Sequence, residues 1–234
     1  VLEAAREGYG GKGQWTIHNA GELPAALAAS GVPCVLEKRL PLEGEFALTL
    51  ARSPSGAISA LPLVQNWHSG GSLDQARAPA KVPALGAEAQ RIAEHIIAAL
   101  DYVGVLTVEF FLVGGALLVN EMAPRPHNSG HPSIDNAGCS QFELQVRALC
   151  DLPLPAQAEV QPAILLNLLG DLWQDGTPDW AGALALPGVH LHLYGKGDAR
   201  PGRKMGHVTV TGRNWPTVEA TASQLRTLLG LPPR

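Results

Sequence analysis

The sequence predicts an α+β fold, mostly antiparallel sheets with flanking helices, followed by a small β-rich C-terminal domain. Three observations carry this reading. Short apolar or β-branched runs alternate with turn residues as far as Pro79, a strongly periodic segment follows over 86–100, and a proline-rich break at 151–157 precedes a second group of strand-like runs.

In the first group, strands are expected over 14–18, 34–40, 46–51 and 57–64, with a helix over 23–30. Over 86–100, Ala89, Ile92, Ala93, Ile96 and Leu100 recur at three- and four-residue spacing, which gives an amphipathic helix with one apolar face. Strands over 103–113 and 116–120 flank Gly114-Gly115, a hairpin signal. A helix is expected over 140–149, with Phe142, Val146 and Leu149 on one side, Ser140 as N-cap and Glu143 placed for a capping box. The run D-L-P-L-P-A-Q at 151–157 cannot extend that helix, because proline has no amide hydrogen and clashes with the preceding turn. This sets a domain boundary, with 1–152 on one side and 153–234 on the other. Beyond it, strands are expected over 163–168, 189–194 and 206–211, and a closing helix over 218–229.

The 234 residues are 46 % hydrophobic, enough for a sizeable core, and 16 % charged, with a net charge of -4. That balance offers no general basic field for nucleic acid or an anionic membrane, so any anion site must be local. Cys34, Cys139 and Cys150 are odd in number, lack metal-ligand spacing and read as reduced thiols. No apolar run reaches the roughly 18 residues of a membrane helix. A cytoplasmic protein is the expectation, and the opening V-L-E-A-A-R, without Met, reads as the start of a fragment.

Chemistry concentrates in N-E-M-A-P-R-P-H-N-S-G-H-P-S-I-D-N-A-G-C-S, residues 120–140, where Glu121, Arg125, His127, Asn128, Ser129 and His131 follow directly on an apolar strand. Such crowding suits a polar ligand better than a solvated loop does. Glu109 and Glu121 lie on the two arms of the hairpin, and register decides what meets. A strict two-residue turn sets Asn120 opposite Glu109, whereas a turn one residue longer sets Glu121 there. Two carboxylates at one sheet end need a cation or a shared proton, and all-oxygen ligation favours Mg2+ completed by phosphate oxygens.

Three further clusters matter. G-Y-G-G-K-G-Q at 8–14 is no Walker loop, but its bare amides and Lys12 suit a flap closing over phosphates. Lys196, Arg200, Arg203 and Lys204 crowd the turn-rich segment 194–207 and form a local anion site suited to a phosphate monoester. Glu37 and Glu45 flank a strand and turn, where carboxylates can accept from ribose hydroxyls or an exocyclic amine.

Taken together, N-E-M-A-P-R-P-H-N-S-G-H, S-Q-F-E at 140–143, the flap, P-L-V-Q-N-W-H at 62–68 and R-P-G-R-K-M-G-H at 200–207 resemble the ATP-grasp superfamily, and within it the N5-carboxyaminoimidazole ribonucleotide synthetases of purine biosynthesis. The resemblance covers nearly the whole chain and lacks the family's N-terminal domain. It implies that ATP phosphorylates bicarbonate to carboxyphosphate, which delivers CO2 to the exocyclic amine of 5-aminoimidazole ribonucleotide. It implies Glu109 and Glu121 as Mg2+ ligands, and Glu37, Lys38, Leu40, Glu45 and Asn120 around the nucleotide. Tyr9, Lys12, Arg125, His127 and Asn128 then surround bicarbonate and the amine, and Lys196 and Arg203 clamp the ribonucleotide phosphate. A cytoplasmic homodimer acting only on small molecules belongs to the same expectation. The chain departs from the family pattern at Glu3, where a lysine is usual, and at Gly10, where the flap usually has aspartate. Other ATP-grasp ligases, such as the formate-using glycinamide ribonucleotide transformylase or a biotin carboxylase, remain alternatives, as does a nucleotide-binding homologue with impaired catalysis.

Overall fold

A computed structural model describes residues 1–6, 13–156 and 160–234. The chain divides into two compact units, Val1–Leu42 with His68–Ser72, and Glu43–Trp67 with Leu73–Arg234.

In the first unit, β1 (Leu2–Ala4) pairs antiparallel with β2 (Gln14–Trp15) on one side and, on the other, with β3 (Cys34–Leu36). The helix α1 (Leu23–Ser30) has the expected bounds; proline lies in its first turn, and Gly31 closes it at φ 62°, the left-handed conformation that glycine adopts without penalty. The strand expected over 34–40 stops at Leu36. Glu37, Lys38 and Leu40 therefore lie on irregular chain, with the first two side chains exposed.

The second unit is organised by one long sheet. It contains β4 (Gly44–Arg52), β5 (Ile58–Ala60), β6 (Val64–Ser69), β7 (Ser72–Ala78), β8 (Gly104–Val113), β9 (Ala116–Ala123), β10 (Ala163–Leu169), β11 (Val189–Leu193) and β12 (Lys204–Thr211). The order is β11-β12-β10-β7-β6-β4-β8-β9, with β5 beside β4. Strand parity separates the two faces. Phe46, Leu48 and Leu50 of β4 and Leu106, Val108 and Phe110 of β8 pack with Ala89, Ala93 and Ile97 of α2 (Pro83–Ala99). The alternate residues face the other way, where Ala51 and Val105 meet Leu144 and Ala148 of α4 (Gln141–Leu149), and Thr49 and Thr107 share a hydrogen bond of 2.8 Å. Glu109 has the parity of Val105 and Thr107.

The helix near 86–100 begins three residues earlier than expected and buries Ala89 and Ala93, but Leu100 is 57 % exposed just past its end. Around α4 the expectation needs correcting. Phe142, Val146 and Leu149, expected on the packed side, are 44 %, 58 % and 56 % exposed, whereas Gln141, Leu144 and Ala148 are buried. The helix is turned because its first residue is tied down by hydrogen bonds, and because Leu144 and Ala148 pack closely on Ala51 and Val105. Ser140 is the N-cap and accepts from the Glu143 amide at 3.2 Å; the Glu143 carboxylate pairs with Arg147.

Region 163–234 keeps a core of its own, in which Ile164, Leu166, Leu168, Val208 and Val210 pack against Ala183 of α5 (Trp180–Ala185) and Val218, Ala222 and Leu225 of α6 (Trp215–Leu228). Its strands nevertheless extend the sheet of the preceding region, because β10 pairs with β7 from Ala163↔Ala78 to Leu166↔Gln75. The four-residue α3 (Ser133–Asn136) and α5 went unseen in the sequence, being too short to show a period.

Candidate active site

The hairpin of β8 and β9 answers the register question in a way neither alternative anticipated. Val113 pairs with Ala116, as a two-residue turn requires, and Phe110 pairs with Val119; but Val108 pairs with Met122. One extra residue is therefore accommodated in β9, so that Asn120 and Glu121 together stand against Glu109. Such a bulge redirects side chains that strict alternation would send to the opposite face. Ligand atoms of Glu109, Glu121 and His127 all lie within 4.8 Å of one another.

His127 reaches this point because Pro124 and Pro126 turn the chain after β9, where Tyr102 donates to the Pro124 carbonyl at 2.8 Å. The 3-10 turn Asn128–Gly130 follows, and His127 caps it: Nδ1 accepts from the Ser129 amide at 3.4 Å. The ring proton is thereby left on Nε2, which lies 3.5 Å from Glu109 Oε1. Ser129 is anchored in turn by Asn66, whose amide donates to its hydroxyl at 2.8 Å. Both amide atoms of Asn128 are buried without a hydrogen-bond partner among the described residues, so this side chain is set to meet a polar ligand. Arg125 is exposed and donates to the Pro126 carbonyl.

Gln141, which the sequence offered only as part of S-Q-F-E, is fully buried behind this segment. Its Oε1 accepts from the His127 amide at 2.8 Å, and its Nε2 donates to the His127 carbonyl at 2.8 Å and contacts His131 Nδ1 at 2.7 Å. The amide fills the space a side chain at residue 130 would need: a Cβ on Gly130 would sit 2.4 Å from Gln141 Oε1. Nothing in the helical pattern marks a first-turn glutamine as buried, which is why its role was not legible.

The same segment also meets the C-terminal basic loop. The His131 ring lies 5.0 Å from that of His207 and edge-on to Tyr194 at 6.4 Å, and the Tyr194 hydroxyl bonds His207 Nδ1 at 2.8 Å. Burial pushes His131 down from 6.5 to about 4, helped by the nearby Lys204 charge and by His192; burial likewise takes His207 down to about 3, with His131 and His192 adding. Lys196 lies over the Tyr194 ring at 5.5 Å and donates to the Lys204 carbonyl, while Arg203 donates to the Asp198 carbonyl at 2.8 Å. The structure thus gathers Glu109, Glu121, His127, Asn128 and Asn120 around the hairpin, with the loop bearing Lys196 and Arg203 joined to that segment through aromatic contacts. Glu45 lies on β4, paired with Phe111 and Asn66. Glu37, Lys38 and Leu40 belong to the first unit, as does Glu3, which pairs with Gln14 and Val35. Tyr9, Gly10 and Lys12 lie outside the described residues.

This arrangement defines a class. The ATP-grasp domain model matches residues 1–142, and the chain belongs to that family. A second model, the phosphoribosylaminoimidazole carboxylase C-terminal domain, matches residues 163–221. At the level of particular proteins, the chain is 43 % identical over 234 residues to the N5-carboxyaminoimidazole ribonucleotide synthase of Synechococcus elongatus, covering 98 % of this chain and 59 % of that protein. It is 40 % identical over 235 residues to that of Escherichia coli, covering 98 % and 62 %. Among solved structures, the N5-carboxyaminoimidazole ribonucleotide synthetase of Thermus thermophilus superposes with a TM-score of 0.90 at 40 % identity, over 100 % of this chain and 62 % of that one. The Aspergillus clavatus enzyme in complex with ADP and 5-aminoimidazole ribonucleotide gives 0.86 at 32 % identity, over 98 % and 62 %. The chain spans about three fifths of the length of these curated relatives.

Proposed function

We propose that the protein containing this chain uses ATP and bicarbonate to carboxylate the exocyclic amine of 5-aminoimidazole ribonucleotide, forming N5-carboxyaminoimidazole ribonucleotide in purine biosynthesis. The observation that carries the reading is the bulged hairpin with Glu109, Glu121 and His127 within 4.8 Å, continuous with a segment that packs against the basic loop. One end suits a nucleotide triphosphate and the other a phosphate monoester.

Two carboxylates on adjacent strands fit Mg2+, and Glu109 and Glu121 would hold it; the ion supplies charge neutralisation at the phosphates. The remaining work falls to side chains. A bicarbonate oxygen attacks the γ-phosphorus, ADP leaves, and the resulting carboxyphosphate breaks to CO2 and phosphate; the amine nitrogen then bonds to the carbon and loses a proton. The His127 Nε2–H, the Asn128 amide, which has no partner among the described residues, and the Arg125 guanidinium are donors able to hold the bicarbonate and carboxyphosphate oxygens as negative charge shifts between them. In this reading the resemblance assigns Tyr9 and Lys12 to bicarbonate and the amine and Glu37, Lys38, Leu40, Glu45 and Asn120 to the nucleotide, and Lys196 and Arg203 release their backbone carbonyl partners to clamp the ribonucleotide phosphate. We take 1–152 and 153–234 as the two functional portions, the second supplying that clamp. Cytoplasmic location and homodimeric assembly belong to the same proposal and rest on the family resemblance.

The test is ADP release by the full-length protein with and without bicarbonate and the ribonucleotide. Turnover that needs both supports the reading. Turnover with formate and a glycinamide ribonucleotide, or nucleotide binding without turnover, would replace it by the corresponding alternative.

A further inference from the structure

We infer that Gln141 is a positioning residue for the site: one buried amide fixes the main chain of His127 and at the same time dictates which nitrogen of His131 carries the proton. The bonds to His127 fix the orientation of the glutamine amide. The His127 amide can only donate, so the atom 2.8 Å from it must be the glutamine oxygen. The atom 2.8 Å from the His127 carbonyl is then the glutamine NH2, and the same nitrogen lies 2.7 Å from His131 Nδ1. Turning the amide over would oppose donor to donor and acceptor to acceptor at His127. His131 Nδ1 therefore accepts, because a proton there would set two donors 2.7 Å apart. The His127 carbonyl also draws on the His131 ring, but only as a minor influence, and it already accepts from Gln141. The neutral His131 ring consequently presents its N–H from Nε2.

His127 obeys the same rule by a different device, since the Ser129 amide occupies its Nδ1. Both histidines of H-N-S-G-H are thus held with Nε2 as the donor, and the glutamine is what joins them. It is well placed to do so: Gln141 is the first residue of α4, its own amide donates to Ser133 Oγ at 2.9 Å, and its side chain is fully buried. A buried amide in three directional contacts, each to the histidine-bearing segment, resists displacement more than a packed apolar side chain does.

Two substitutions in the full-length protein test this. In Gln141→Glu the volume is kept, but the second oxygen cannot donate; it accepts from His131, moving the ring proton to Nδ1. In Gln141→Met all three contacts are lost. Gln145→Met serves as the control, because Gln145 lies one turn further along α4 and only accepts from the Val105 amide. Nitrogen-15 spectra of histidine-labelled protein read the tautomer directly. The expected result is a wild-type His131 protonated on Nε2, a switch to Nδ1 in Gln141→Glu, and no change in Gln145→Met. The kinetic arm rests on the proposed carboxylation: kcat should fall about 10- to 100-fold in both Gln141 variants, with KM for ATP nearly unchanged. Gln145→Met should lose stability but keep its kcat. The inference is overturned by a wild-type His131 protonated on Nδ1, or by Gln141 and Gln145 variants that lose stability and kcat in the same proportion. A wild-type protein without bicarbonate-dependent turnover would instead overturn the carboxylation reading, and the nitrogen spectra would still decide the role of Gln141.

Discussion

Two clusters in this molecule bring carboxylates and imidazoles together, and they differ in their balance of charge. Glu109, Glu121 and His127 lie on the bulged hairpin and the turn after it, while Asp135, His192 and His207 lie between α3 and the C-terminal strands. In the second cluster there is one carboxylate among imidazoles. His192 Nε2 contacts both Asp135 oxygens, at 2.9 and 3.1 Å, His190 lies 3.8 Å away, and His207 stacks on His192 with 19° between planes at 4.5 Å. Stacked rings direct their nitrogen lone pairs side by side, so they do not converge on a shared ion. In the first cluster two carboxylates face a single imidazole, and like charges that close are met by a cation or a shared proton. Residue types and distances are therefore alike in the two clusters, and the surplus of negative charge is what sets the first apart.

The sharpest way to break this comparison is to neutralise one acid in each cluster. Glu109→Gln or Glu121→Gln should lower Mg2+-dependent ADP release about 100-fold or more, the scale seen when a charge-stabilising group is removed from a reaction site. Asp135→Asn should change it little. Equal losses in the two clusters would mean that the second is also part of the reacting centre.

Next in size is the basic loop. Lys196→Ala and Arg203→Ala each remove a charged donor contributing about 1.5 to 3 kcal/mol, so KM for the ribonucleotide should rise about 10- to 100-fold. KM for ATP should hold steady; a rise there instead would assign this loop to the nucleotide phosphates.

Stability should move the opposite way from activity. Chemical denaturation of Asp135→Asn should show a loss of about 1 to 3 kcal/mol, because its histidine partners are left with a weaker acceptor in a buried place. Glu109→Gln should be neutral or slightly stabilising without metal, since it relieves repulsion from Glu121. A large loss of stability in Glu109→Gln would show that the contact of its carboxylate with His127 outweighs the repulsion from Glu121.

The smallest effect is in the pH dependence. His131 and His207 are lowered from 6.5 to about 4 and about 3 in the folded chain. In that window the unfolded chain binds protons that the folded chain does not, so the stability they confer is fully present above 6.5 and is lost as pH falls toward those values. Denaturation midpoints measured between about pH 7.5 and 5 should fall, and His207→Gln should flatten the slope. An unchanged slope in that variant would show that His207 titrates normally.

Much of this was legible in advance, for reasons that can be traced to particular residues. The bounds of α1, the Gly114-Gly115 hairpin and the Ser140 cap rest on interactions within a few residues of one another, which local sequence encodes. The crowding of Glu121, Arg125, His127 and Asn128 after an apolar strand marked the site for the same reason. The face of α4 was not legible: Phe142, Val146 and Leu149 form the more apolar stripe, yet the helix is rotated to bury Gln141.

Read alone, then, the sequence marked most of the longer elements, the crowded polar segment 120–140 and the family the motifs resemble, since periodicity, capping and motif spacing are all local. Tertiary structure alone decided three things. A bulge set both Asn120 and Glu121 against Glu109, and pairing of β10 with β7 carried the sheet across the proline-rich break. A buried glutamine amide bound His127 to His131. Each depends on partners brought together from distant parts of the chain or on the register of a packed strand, and such partners leave no period or spacing to read.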